Sequence, residues 1–287
     1  MSVIHSAFRR VSTEGMYMLD ALSFGFMQNA LLAGLFACVA CGVIGTLVVV
    51  NRIVFISGGI AHAAYGGIGL AFFLGISPLL GALGFSVAVG VLVAFISMSN
   101  KKRADTVIGV VWSLGMAIGI ILTDLTPGYN VDLMSYLFGS ILAVPQSDIW
   151  LMAVLDMAVV VFIAFFFRDL QAMSFDEDFA VSIGVPVRPL YYLLIIMVAL
   201  TVVLVIRVVG LILVIAMISI PPYIAERYVK DLRLMMLSSV GLNLAFTVTG
   251  LWLSYTFNLT SGAAIIMVAS AVFFLSEFFG RIRSNRG

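Results

Sequence analysis

The sequence predicts an all-α, polytopic membrane protein with about nine transmembrane helices, the apolar runs allowing eight to ten. Three observations carry this. Of 287 residues 63% are hydrophobic and 10% charged, where a soluble domain carries roughly a quarter charged. The apolar runs are continuous and rich in Leu, Ile, Val, Ala and Gly, without the alternation of a membrane β-barrel. The basic residues also gather on one set of connecting segments, the bias that cytoplasmic loops show.

A bilayer core of about 30 Å takes about 20 apolar residues per helix, and this length divides the chain. Residues 1–25 are amphipathic and include Arg9 and Arg10; they read as an N-terminal tail or a segment lying along the interface. No short apolar core with a small-residue cleavage site precedes the first run, so no removable signal peptide is expected. Residues 26–287 read as a single membrane domain, since no obvious repeat or linker divides them.

The first predicted span, 27–50, holds Cys38 and Cys41 at C-x-x-C spacing. Inside a span they read as small packing residues, the alternative being a thiolate ligand for a soft metal. The second, 53–75, places His62 in the run GGIAHAAYGGIG. An ionisable group at membrane depth faces a cavity, a partner or an ion path. Gly58 and Gly66 lie one turn either side of His62 on the same helix face. Gly59, Ala63 and Gly67 repeat a spacing that favours close helix packing.

Spans three and four, 78–98 and 107–124, flank the basic turn KKRADT. Between Asp124 and Asp148 there is no basic residue, and Asp124, Asp132 and Asp148 make the segment acidic. It reads either as a cation-attracting mouth or as solvated loop charge. Within it, Val131 to Val144 is too short to span and suggests a half-helix or interfacial helix. The fifth span, 149–167, contains Asp156 in WLMAVLDMAVV. At 1.5 Å per residue His62 and Asp156 both fall near the midplane, roughly 14 Å and 11 Å from their helix ends. Asp156 is therefore a candidate second metal ligand, or a buried carboxyl bonded to a neighbouring helix.

The segment SFDEDFAVSIGVPVR follows, with Asp176, Glu177 and Asp178 suited to the N-terminus of a short helix. Span six covers 190–206. Span seven, 208–222, meets Pro221 and Pro222, which are expected to end or kink it. A short amphipathic helix with Glu226, Arg227, Lys230, Asp231 and Arg233 is expected next, over about 222–234, as a contact for a soluble partner or a plain charged connector. Spans eight and nine cover 234–256 and 261–280. With nine spans and the RIRSNR tail inside, twelve of the fifteen basic residues fall on the cytoplasmic side, leaving Arg9, Arg10 and Arg207 outside.

Several segments together resemble one family. The stretches RIVFISGGIAHAAYGGIGLA, DTVIGVVWSLGMAIGIIL, PGYNVDLMSYLFGSILAV, SFDEDFAVSIGVPVR, VVGLILVIAMISIPP and LTSGAAIIMV stand in family order and cover nearly all the chain after Phe26. They are similar to the permease subunits of bacterial and archaeal ABC importers for zinc and manganese, sometimes iron. The resemblance implies a type II ABC importer permease fold in the cell (inner or plasma) membrane, with a cytoplasmic C-terminus. It implies a homodimer, a separate ABC ATP-binding subunit and an extracytoplasmic metal-binding protein as partners. It implies a divalent metal ion, zinc or manganese, as cargo and no permanently held cofactor. Pro221, Pro222, Glu226, Arg227 and Lys230 would belong to the coupling segment that docks on the ATPase.

The chain departs from the family twice. It reads SGGIAHA where the family commonly reads GDALSHA, so Gly58 stands at the aspartate position while His62 is retained. It reads PPYIAER where a PAA-type run is more usual.

The only lysines are Lys101, Lys102 and Lys230, and none lies in a phosphate loop, so ATP hydrolysis is not expected of this chain. Metalloprotease H-E-x-x-H and hydrolase G-x-S-x-G motifs are absent as well, and nucleic acid is not an expected partner. An ABC permease for a siderophore or cobalamin-like solute is the alternative within transport.

Overall fold

In hydrocarbon every backbone N–H and C=O must be paired within its own segment, and helices satisfy this locally. The computed structural model describes residues 25–99, 104–127, 139 and 144–284, and among these there are helices and no strand. Nine helices are long and apolar enough to cross a membrane. They are α1 (Gly25–Val50), α2 (Val54–Leu74), α3 (Pro78–Ser99), α4 (Ala104–Asp124), α5 (Gln146–Phe175), α7 (Val187–Val209), α8 (Leu211–Tyr228), α9 (Leu232–Phe257) and α10 (Ser261–Ser284), with the short α6 (Glu177–Ser182) after α5. The expected tail, the KKR turn and most of the acidic segment with its half-helix lie outside the described residues.

Where the link between successive helices is short, the two run in opposite directions. Helix ends are sealed by local chemistry. Gly75 takes a left-handed conformation (φ 67°) and its amide reaches the Phe72 carbonyl while that of Ile76 reaches Ala71, closing α2 with a Schellman motif. Arg52 closes α1 in the same way at φ 58°, a conformation a side chain strains. Asp176 accepts from the Phe179 amide at 2.9 Å and so caps α6, as its position in the sequence predicts.

α1, α2 and α7 form the interior, while α4 and α10 lie at the periphery. Close approach is possible because glycines meet backbone. A side chain at Gly69 or Gly119 would overlap the facing helix of the α2 and α4 pair, and one at Gly67 or Gly81 would overlap at the α2 and α3 pair. This is the packing that the small-residue spacing around His62 anticipates.

Two expectations need correction. The fifth span is longer than its apolar run: α5 has 30 residues, about 45 Å of helix, so its last turns with Arg168 and Asp169 extend past a bilayer core. Pro221 and Pro222 do not end the seventh span. α8 continues through them to Tyr228, and no separate amphipathic helix follows; Val229 and Lys230 form a short link, and Asp231 caps α9 by accepting from the Arg233 and Leu234 amides at 2.9 and 3.0 Å. The carbonyls that the prolines leave unbonded meet different surroundings. Met217 O accepts from Asn243 Nδ2 of α9 at 3.1 Å, and Ile218 O faces Gly45 of α1, where a Cβ would come within 2.5 Å.

Arg207, left on the outer side by the charge bias, pairs with Asp148, Nε to Oδ2 at 2.7 Å. α5 and α7 are tied together there, at the end opposite the Arg227 to Glu277 pair that joins α8 to α10.

Candidate functional site

His62 sits on α2 where that helix faces α4. Its imidazole is half-buried, and Nδ1 is 2.8 Å from the Gly58 carbonyl one turn earlier. A carbonyl oxygen only accepts, so Nδ1 carries the proton. In the neutral ring this leaves the lone pair on Nε2, the arrangement of a histidine that binds a metal through Nε2. The ring stacks on the indole of Trp112 from α4, centroids 3.7 Å apart and planes 26° apart. Gly58 is buried, yet open space lies where its Cβ would be.

Sequence reasoning misses Trp112. A signal exists: it is the lone aromatic of α4, three residues before Gly115, which packs on Ala63 next to His62. The helical period places both on the face toward α2.

Asp156 lies in a different seam. It is buried on α5, its Oδ1 has no hydrogen-bond partner, and its electrostatic neighbours are Cys38 and Cys41 of α1. Cys38 Sγ in turn is 3.4 Å from Thr247 Oγ1 of α9. Both cysteines are fully buried, in keeping with the packing role. α5 packs on α1 and α7, whereas α2 packs on α4 and α3, so one chain does not bring Asp156 to His62. Among the described residues no three of His, Cys, Asp and Glu are arranged to hold a metal. His62 in one chain is a single ligand, and a lone ligand does not select an ion.

The charged residues expected to couple motion cluster at the far end of α8. Arg227 Nη1 donates to Glu277 Oε1 of α10 at 2.6 Å, and Tyr223 OH donates to the same oxygen at 3.2 Å. The Tyr228 and Ser276 hydroxyls are 3.1 Å apart. Glu226 and Lys230 are exposed, while Pro221 and Pro222 are buried in the helix. Beside this turn a groove opens between Arg52, Phe55, Tyr223 and Glu226.

The family model described as ABC 3 transport family matches residues 23–280. The chain is 50% identical to an uncharacterized membrane protein of Synechocystis sp. over 92% of this chain and 94% of that one. It is 34% identical to the manganese import system permease protein ScaB of Streptococcus gordonii, over 89% and 91%. The solved structure of PsaBC from Streptococcus pneumoniae in complex with Fab is similar with a TM-score of 0.81 and 32% identity, covering 91% of this chain and 94% of that chain.

Proposed function

The chain belongs to the ABC 3 transport family, and we propose that it is the membrane-spanning permease subunit of an ATP-driven importer of divalent transition metal ions, manganese first and zinc as the second candidate. The observation that carries this is His62: an imidazole in a membrane span, held through Nδ1, is when neutral a ligand for such ions through Nε2. The manganese import permease among its relatives supports the choice of metal.

Two copies of the chain would form the path, since one copy contributes a single imidazole and a cation held in transit needs more donors. The Gly58 position gives no carboxylate, so the remaining ligands are the partner copy's groups or water. Asp156 serves as a separate station: its unpartnered Oδ1 is the kind of buried atom that a passing cation satisfies.

Energy comes from elsewhere. The chain has no phosphate loop, and an ATPase subunit would dock at the turn carrying Glu226, Arg227 and Lys230, with Pro221 and Pro222 stiffening the helix that receives the push. By the basic bias this end and the C-terminus face the cytoplasm, and an extracytoplasmic binding protein delivers the ion at the opposite end.

The test is uptake of manganese, zinc and iron by the intact complex in proteoliposomes, with His62→Ala and Asp156→Asn made separately. Manganese uptake that needs the ATPase and fails in His62→Ala is expected. Full uptake in both variants, or transport by the lone subunit, overturns the reading.

A further inference from the structure

A ligand's lone pair lies in the plane of its ring, so a histidine binds well only when that plane is fixed. The Gly58 carbonyl holds one edge of His62 through Nδ1 at 2.8 Å, and a single hydrogen bond leaves the ring free to tilt about that edge, because the histidine χ2 torsion is broad. No side chain on the preceding turn limits the tilt: Gly58 has none, and open space lies there. The plane is instead set from the next helix, where the Trp112 indole lies 3.7 Å away at 26°.

We propose that Trp112 is a positioning residue of the ion path: its indole fixes the His62 ring plane and so aims Nε2 at the passing cation. The proposal rests on the reading of His62 as a metal ligand. α4 is a stable platform for the task, because Gly115 and Gly119 lock it against Ala63 and Tyr65 of α2 at backbone distance. Two glycine contacts on the same helix as Trp112 leave little freedom for sliding, so the indole keeps its register with the imidazole. The flat indole also covers one face of the imidazole.

The experiment uses the intact complex in proteoliposomes with Trp112→Leu, Trp112→Phe and His62→Ala, reading the half-saturating manganese concentration apart from the maximal rate. Removing a group that orients a metal ligand lowers metal affinity about 10- to 100-fold, so Trp112→Leu is expected to raise the half-saturating concentration at least tenfold. Trp112→Phe, which keeps a stacking face, is expected to restore most of it. Each variant's melting temperature is measured alongside.

A second readout uses the chain with Trp150→Phe and Trp252→Phe, leaving Trp112 as its sole indole: manganese is expected to quench its fluorescence, and His62→Ala to abolish the quenching. Wild-type half-saturation in Trp112→Leu overturns the positioning role, as does a Trp112→Phe chain that recovers stability but not half-saturation. Unchanged uptake or quenching in His62→Ala overturns the underlying reading instead, so the two failures are told apart.

Discussion

Asn243 Nδ2 donates to the Met217 carbonyl at 3.1 Å, between two helices that follow one another in the chain. That carbonyl is the one left without a donor by Pro221, four residues on, since proline has no N–H. A side chain on α9 therefore replaces a missing rung of α8, and both groups are buried. The bond compensates the first of the two prolines that α8 passes through.

Replacing Asn243 by Leu leaves the Met217 carbonyl buried and unbonded, a loss of about 1–3 kcal/mol. A lower melting temperature of the purified protein is expected. Adding Pro221→Ala to Asn243→Leu returns a backbone donor and should recover part of it, so that the two changes are non-additive. Additive losses would show that the bond is not what sustains the helix.

The proline pair also shows what the sequence could and could not tell. Nine spans, their order and the place of His62 were legible, because continuous apolar runs of fixed length and a lone imidazole are one-dimensional signals. The cap at Asp176 was legible for the same reason. The fate of α8 was not: it depends on Asn243, twenty-six residues away, and local propensity carries no record of such a rescue. Arg207 pairing with Asp148, fifty-nine positions earlier, is equally tertiary, as is the Trp112 stack. For Asp156 the depth estimate matched it with His62 along the membrane normal, but depth does not report which seam a residue faces.

Two glycines with opposite surroundings make a paired prediction. At Gly45 a Cβ would sit 2.5 Å from the Ile218 carbonyl and 3.0 Å from its Cα, so α1 and α8 would have to part. Gly45→Ala is expected to lower the yield of folded protein, an overpacking loss of about 1–3 kcal/mol. At Gly58 nothing lies within 4 Å of that position, and alanine is the better helix former by about 1 kcal/mol. Gly58→Ala should therefore fold at least as well as the wild type, and equal melting temperatures for the two variants would contradict the packing described.

The Arg207 to Asp148 pair is lopsided: the side chains are 38% and 6% exposed. Removing Asp148 leaves a guanidinium that still reaches water. Removing Arg207 leaves a buried carboxylate with the Ser147 hydroxyl at 3.3 Å but without its cation, and breaking a buried pair in this way costs a few kcal/mol. Arg207→Leu is thus expected to destabilise more than Asp148→Asn in thermal unfolding at neutral pH. The reverse order would sink this assignment.

Glu277 links the last helix to the turn proposed to meet the ATPase. Its Oε1 receives both Arg227 and Tyr223, so α10 holds the end of α8 at two points just before the chain turns into α9. The Arg227 and Glu277 side chains are 29% and 27% exposed, and a pair that open to solvent contributes only about 1 kcal/mol or less to stability. A push on that turn reaches α10 through this charged link as well as through the Tyr228 and Ser276 hydroxyl contact. Glu277→Gln keeps an oxygen for Tyr223 and loses the charge that holds Arg227. It is expected to leave the melting temperature nearly unchanged while manganese uptake per ATP hydrolysed falls several-fold. Wild-type coupling in that variant would mean that the turn transmits motion without the Arg227 to Glu277 pair.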